Sequence, residues 1–187
     1  MRFNEHSNLN GLHAVFAPSK SSWLRYDDDK ALEVYQNMKA AEMGTLLHAW
    51  AKETIDLKIK QPRSNKTLYA YVNDAINFDM ATEVVLFYSI RFFGTADAIC
   101  YRKEKNGRYK LRIHDLKTGE KPVKVEQVRI YAALFCLEYD VRPSDIDFEL
   151  RIYQNDGVLI DEPTADDIAA IMGIIIHFDK IVTNEEV

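Results

Sequence analysis

Near residue 80 the hydrophobic period of this chain changes from helical to extended, which restricts it to folds that combine helices with a sheet. Upstream, Ala31 to Ile59 carries Leu32, Tyr35, Met38, Met43, Leu46, Leu47, Trp50 and Ile55 at helical spacing. Thr67 to Met80 places Leu68, Tyr71, Val72, Ala75 and Ile76 on one stripe, and Ser19 to Tyr26 predicts a short helix capped by a serine. Downstream, Glu83 to Ile90 and Phe92 to Tyr101 are rich in the β-branched and aromatic residues that strands favour. Asn106-Gly107 is a tight-hairpin signal that leads into a third strand, Tyr109 to Lys117. A helix over about Val123 to Tyr139, a strand over Asp147 to Gln154, a short edge strand over Gly157 to Ile160 and a closing helix over Thr164 to Val182 complete the pattern. The order α–α–β–β–β–α–β–α predicts an α/β (α+β) fold with a central mixed β-sheet flanked by helices. No repeat, low-complexity tract or Gly/Ser linker interrupts it. The 187 residues therefore read as one domain, with a helical part from about 19 to 80 and the sheet with its helices from about 82 to 182.

The chemistry concentrates on two of the predicted strands. Residues two apart on a strand share a face, so Asp115 and Lys117 project together, continuing the face of Leu111 and Ile113, while His114 turns to the other side. A charged pair that ends an otherwise apolar face is costly unless something binds it. Asp97 lies on the neighbouring strand, about 5 Å away across the ladder, where two carboxylates in register can share a hard divalent cation. Oxygen donors of this kind suit Mg²⁺ or Mn²⁺ rather than zinc. The plain alternative for Asp-x-Lys is a surface ion pair at the end of a hairpin. On the long helix, Gly44 stands one turn before His48, and a glycine inside a helix costs about 0.5–1 kcal/mol against alanine. Gln127 and Tyr131 share a face of the helix after the Asp-x-Lys strand, where they read either as helix surface or as phosphate and base contacts. Glu42 and Glu83 could join the acidic cluster, but read first as solvated glutamates.

Charge and cysteine content narrow the classes. The formal net charge is -5, but between Tyr101 and Ile130 ten Lys or Arg face four Asp or Glu, and from Glu138 onward three basic residues face thirteen acidic ones. Such asymmetry fits one face that meets phosphate and equally fits a solvated hairpin beside an acidic layer. Lys121 and Lys124, and Arg102, Lys103, Lys105 and Arg108, are the cations that could reach phosphates. Cys100 and Cys136 read as buried free thiols in a reducing cytoplasm, and two cysteines cannot hold an iron–sulfur cluster or a four-cysteine zinc site. No apolar run has the length of a transmembrane helix, and the first residues lack the apolar stretch of a secretory signal. No P-loop, dinucleotide fingerprint or G-x-S-x-G elbow is present.

Taken in order, Gly44-x-x-x-His48, Gly94-x-x-Asp97, Asp115-Leu116-Lys117-Thr118-Gly119 and Gln127-x-x-x-Tyr131 resemble the RecB-like nucleases of the PD-(D/E)XK superfamily, to which CRISPR-associated nucleases and phage recombination exonucleases also belong. The segment His13 to Leu24, with Ser19, Ser22 and Trp23, resembles the family's opening S-x-S-x-x-x-[FW]-L stretch and most resembles phage-encoded members. The resemblance implies a PD-(D/E)XK restriction-endonuclease-like core and an exonuclease that processes DNA ends or single strands in recombination or repair. It implies His48, Asp97, Asp115 and the carbonyl of Leu116 as ligands of Mg²⁺ or Mn²⁺, and Lys117 as the catalytic lysine beside Asp97 and Asp115. Gln127 and Tyr131 would support the active site or contact DNA, with Ser19, Ser22, Lys121 and Lys124 as further nucleic-acid contacts. Asp115 stands where many relatives have Glu, and the cysteine set of the iron–sulfur members is absent. The expected setting is a bacterial host cytoplasm, with DNA and in some cases a recombination protein as partner, no membrane, and an open oligomeric state. A non-catalytic DNA-binding module, or a nuclease subunit active only in a complex, is the alternative expectation.

Overall fold

The computed structural model describes residues 14–119, 124–155 and 157–185. The chain divides into two compact units, Met1–Thr45 and Leu46–Val187, and the division falls within the first long helix. In the first unit, a 3-10 helix covers Ser21–Arg25, and α1 (Asp28–Asp56) begins three residues earlier than its apolar spacing suggests. The expected serine cap is absent: Lys20 occupies the cap position and no side chain bonds the turn. The segment is held by its aromatic residues, with the Trp23 indole N–H donating to Ala17 O at 3.0 Å and the Phe16 and Trp23 rings 6.3 Å apart. The capping aspartate belongs to α1, where Asp27 Oδ1 accepts the Lys30 N–H at 2.8 Å.

The second unit contains α2 (Thr67–Asn77), β1 (Ala81–Ser89), β2 (Phe92–Lys103), β3 (Tyr109–Lys117), α3 (Glu126–Glu138), β4 (Ile146–Gln154), β5 (Gly157–Asp161) and α4 (Ala165–Glu185). This is an α+β architecture whose five-stranded mixed sheet follows chain order, β1-β2-β3-β4-β5. Neighbours are antiparallel except β3 and β4, which run parallel through the α3 crossover. Leu86, Ile99, Leu111, Ile113, Leu150 and Ile152 pack one face against Val128, Ala132 and Phe135 of α3 and Ile168 and Ile175 of α4. The other face sets Ala98, Cys100, Leu116 and Tyr153 against Ala51 and Ile55 of α1 and Tyr71, Val72 and Ala75 of α2. Covered on both faces, β3 is buried without a break from Leu111 to Leu116. Cys100 and Cys136 are free, buried and assigned to opposite faces of the sheet. Burial pushes the Cys136 thiol up to about 12.

Asn106-Gly107 does close a hairpin, by a different turn from the one its sequence suggests. Gly107 alone takes positive φ, +84°, and its N–H donates to Glu104 O at 2.9 Å. With Asn106 outside the left-handed region, this is a type I turn closed by a glycine bulge rather than a type I′ pair. Helix α3 starts at Glu126, three residues later than expected, and Lys121 lies outside the described residues. Helix α4 begins as its sequence signals: the Asp167 N–H donates to Thr164 Oγ1 and the Thr164 N–H to Asp167 Oδ2, a reciprocal cap. No helix among the described residues is long and apolar enough to cross a membrane.

Candidate metal centre

The centre forms where β2 and β3 part. Their ladder runs from Lys103↔Tyr109 to Ala98↔His114 and stops one rung short of facing Asp97 with Asp115. In place of that rung, Asp97 Oδ2 accepts the Leu116 N–H at 2.8 Å. A side-chain carboxylate thus satisfies a buried donor that a strand carbonyl would otherwise take. An extended residue presents its N–H and C=O to the same edge of its strand, so the Leu116 carbonyl faces the same gap.

Asp115 continues the Leu111–Ile113 face, and its side chain is only 3% exposed. Lys117 Nζ donates to Asp115 Oδ1 at 3.2 Å and lies 3.0 Å from Oδ2, which is buried and accepts no hydrogen bond. Burial pushes the Asp115 carboxyl above its ordinary range, and the Lys117 ammonium pulls it back. Asp97 rises to about 6, first through burial and then through the charge of Asp115. The Leu116 N–H and His48 oppose that rise. Two carboxylates that feel each other's charge beside one ammonium form a site with excess negative charge.

His48, on α1, brings Nδ1 to 3.6 Å from Asp97 Oδ2. Glu83 is the residue that sequence reasoning set aside. On β1 it lies across from Asp97, between the pairs Thr82↔Ala98 and Val84↔Ala96, and its φ of +51° is in the left-handed region that few non-glycine residues occupy. One atom each from His48, Glu83 and Asp97 lie within 4.8 Å of one another.

Helix α3 supplies the support for Lys117. Gln127 Oε1 accepts from Lys117 Nζ at 2.8 Å, and Gln127 Nε2 donates to the Tyr131 hydroxyl at 3.4 Å. The Tyr131 ring lies over Gly94, where an added Cβ would sit 2.9 Å from Cε1. The two halves of Gly94-x-x-Asp97 therefore act together: the glycine admits the tyrosine that braces Gln127, and the aspartate enters the gap. We expect Gly94→Ala to lower the melting temperature, with an overpacking cost of about 1–3 kcal/mol. It should also slow any Lys117-dependent reaction; unchanged melting and unchanged rate together would show that the contact is slack.

Other predicted residues fall elsewhere. Ser19 and Ser22 belong to the first unit, as does Gly44, and Ser22 Oγ lies 3.2 Å from the Tyr26 hydroxyl. Lys124 is exposed just ahead of α3. The basic hairpin is largely neutralised: Arg102 pairs with Asp79, Arg108 with Asp147, Lys110 with Glu149, and Arg112 with Glu104 and Glu149. Its turn lies at the far end of β3, about 26 Å from Lys117 at roughly 3.3 Å per residue. A cleft of about 200 Å³ opens beside the centre, lined by Leu47, Thr67, Leu68, Leu116, Lys117, Thr118 and Asn155. A larger hollow of about 360 Å³ near Arg108 and Thr164 holds none of these groups. No protein-family model and no curated protein matches this chain.

Proposed function

We propose that the chain is a metal-dependent deoxyribonuclease of the PD-(D/E)XK type, RecB-like branch, that hydrolyses phosphodiester bonds at DNA ends during recombination or repair. The observation that carries this reading is the buried Asp115 carboxylate, paired with the Lys117 ammonium, beside the half-buried Asp97 carboxylate at a break between two core strands. A purely structural ion pair has no need of a second carboxylate beside the first.

The donor set fits a divalent cation. One atom each of His48, Glu83 and Asp97 lie within 4.8 Å of one another, a set that does not include Asp115, whose buried Oδ2 accepts no hydrogen bond and lies 3.0 Å from the Lys117 ammonium. Asp97, Asp115 and the Leu116 carbonyl would hold the cation, with His48 and Glu83 closing the set. A nitrogen donor among oxygens suits Mn²⁺ as well as Mg²⁺. When bound, the cation supplies Lewis acidity toward a phosphoryl oxygen and acidifies water. The carboxylates would fix the cation's place, and Lys117, tethered by Gln127, presents N–H donors beside it for developing negative charge. The Gln127–Tyr131 brace limits how far that ammonium can wander.

The deciding experiment is digestion of end-labelled DNA, single- and double-stranded, with Mg²⁺, Mn²⁺ or EDTA, beside Asp115→Ala. Metal-dependent release of label by the wild type alone is the expected result, and the product ladder gives the polarity. No cleavage by folded, pure protein that is nonetheless stabilised by Mn²⁺ would instead favour a binding module or a subunit that awaits its complex.

A further inference from the structure

Beyond Arg102, Arg108, Lys110 and Arg112, which pair with carboxylates, a further run of positive charge lies in a segment that neither the motifs nor the proposed reaction uses. The linker from α1 to α2 reads Leu57-Lys58-Ile59-Lys60-Gln61-Pro62-Arg63-Ser64-Asn65-Lys66, four basic residues and no acidic one. It runs back along α2 from one end to the other. Lys58 Nζ meets Asp79 Oδ1, just past the helix, at 2.6 Å. At mid-helix the Gln61 N–H donates to Asn73 Oδ1 at 2.8 Å, and Asn73 Nδ2 donates back to Gln61 O at 3.0 Å. At the start of the helix, Lys66 Nζ sits 5.5 Å from the centre of the Tyr69 ring. Lys60, Arg63 and Lys66 are exposed and form no ion pair among the described residues. The path ends at the cleft, where Thr67 and Leu68 share a wall with Leu116 and Lys117. Beside it the half-buried rings of Tyr69 and Trp50 lie 6.1 Å apart.

We infer that this linker and the Tyr69–Trp50 pair form a track for one unpaired nucleic-acid strand, leading its backbone past Lys60, Arg63 and Lys66 into the Lys117 cleft. The inference rests on the nuclease reading for its purpose but not for its test. Three cations in sequence along one ridge match a polyanion that is followed lengthwise. Aromatic rings next to that ridge favour single strands, because only unpaired bases offer a face to stack. The cation over the Tyr69 ring keeps phosphate and base contacts side by side.

The test is fluorescence anisotropy in EDTA, where no cleavage intervenes, with labelled oligo-dT of about 20 nucleotides and a duplex of the same length. Wild type is expected to bind the single strand at least about tenfold more tightly than the duplex. Lys60→Ala/Arg63→Ala/Lys66→Ala should keep its melting temperature, weaken single-strand binding by about tenfold or more, and flatten the log–log salt slope by about 2, at about 0.7 per phosphate contact. Tyr69→Ala should weaken binding by about tenfold without changing that slope, and Tyr69→Phe should restore it. Wild-type affinity in the triple variant, no binding by wild type, or equal losses on duplex would overturn the track. A wild type that binds the strand in this way yet never cuts it with Mn²⁺ leaves the track standing and removes the nuclease. DNA cleavage with single-strand binding unaffected by the triple variant does the reverse.

Discussion

Lys117→Ala is expected to remove DNA cleavage, by about a thousandfold or more, while leaving the protein folded and able to bind Mn²⁺. Lys117 ends β3 outside both core clusters, so its loss opens no cavity. Its ammonium donates to Asp115 Oδ1 at 3.2 Å and Gln127 Oε1 at 2.8 Å, and lies 3.0 Å from Asp115 Oδ2. Removing it takes away the main influence that holds the Asp115 carboxyl down against burial, so that carboxyl should titrate at higher pH in the metal-free variant. A bound cation would restore the balance, and metal affinity should therefore fall much less than turnover does. The measurements are single-turnover cleavage with saturating Mn²⁺ and calorimetric Mn²⁺ binding, run on the same preparation. Cleavage at the wild-type rate would sink the assignment of the centre, whatever the binding data show.

The second large effect concerns stability. At neutral pH, Asp97→Asn is expected to make the metal-free protein more stable than wild type, by on the order of 2–3 kcal/mol for a shift of about two pH units. The sign follows from where protons sit. Asp97 titrates near 6 in the folded chain, against an ordinary value of 3.8, because burial and Asp115 disfavour its charge. Between those values the native state holds a proton that the unfolded state has released, so this group's contribution to stability falls as pH rises through the window. His114 works the opposite way over an overlapping range. Burial holds it to about 3, so it loses stability as pH drops below its ordinary 6.5. A wild-type melting curve against pH would mix the two. The difference between wild type and Asp97→Asn isolates Asp97, because His114 is common to both. That difference should be largest above pH 7 and vanish near pH 4, and Mn²⁺ should reverse its sign by stabilising wild type alone. A variant no more stable than wild type at pH 7.5 would mean that the gap is wetter or more relaxed than its buried oxygens imply.

Much of the sheet was legible because its signals are local. The strand ending in Asp115-x-Lys117 spans the residues expected, and alternation along it correctly sends His114 to the opposite face, against Phe78 and Tyr153. Glu83 could be named as a possible member of the cluster but not placed there, for a definable reason. Counting back from the two-residue turn at Ile90 and Arg91 sets Val84, not Glu83, across from Asp97. The register shift between Phe87 and Ser89 moves the pairing by one residue and sets the exposed Glu83 across from Asp97. A bulge of that kind leaves no reliable mark in composition. The partners of the basic hairpin were not legible because counting charges ignores them: its arginines meet carboxylates from Asp79, Asp147 and Glu149, distant in sequence and adjacent in the sheet. Conversely, the Leu57 to Lys66 linker drew no attention because its cations matter through where α2 carries them.

The sheet's chain-ordered strands also bear on how such a centre is assembled. Glu83, Asp97, Asp115 and Lys117 come from three consecutive antiparallel strands joined by short turns, so the oxygen-rich part of the gap needs only nearby segments to meet. The imidazole of His48 comes from a helix that precedes the meander and is no part of its pairing. The centre is therefore modular: a self-contained carboxylate–lysine hairpin set, with one nitrogen donor added from outside. On the proposed metal reading, exchanging that donor would retune which cation is preferred without asking any strand to change its partner.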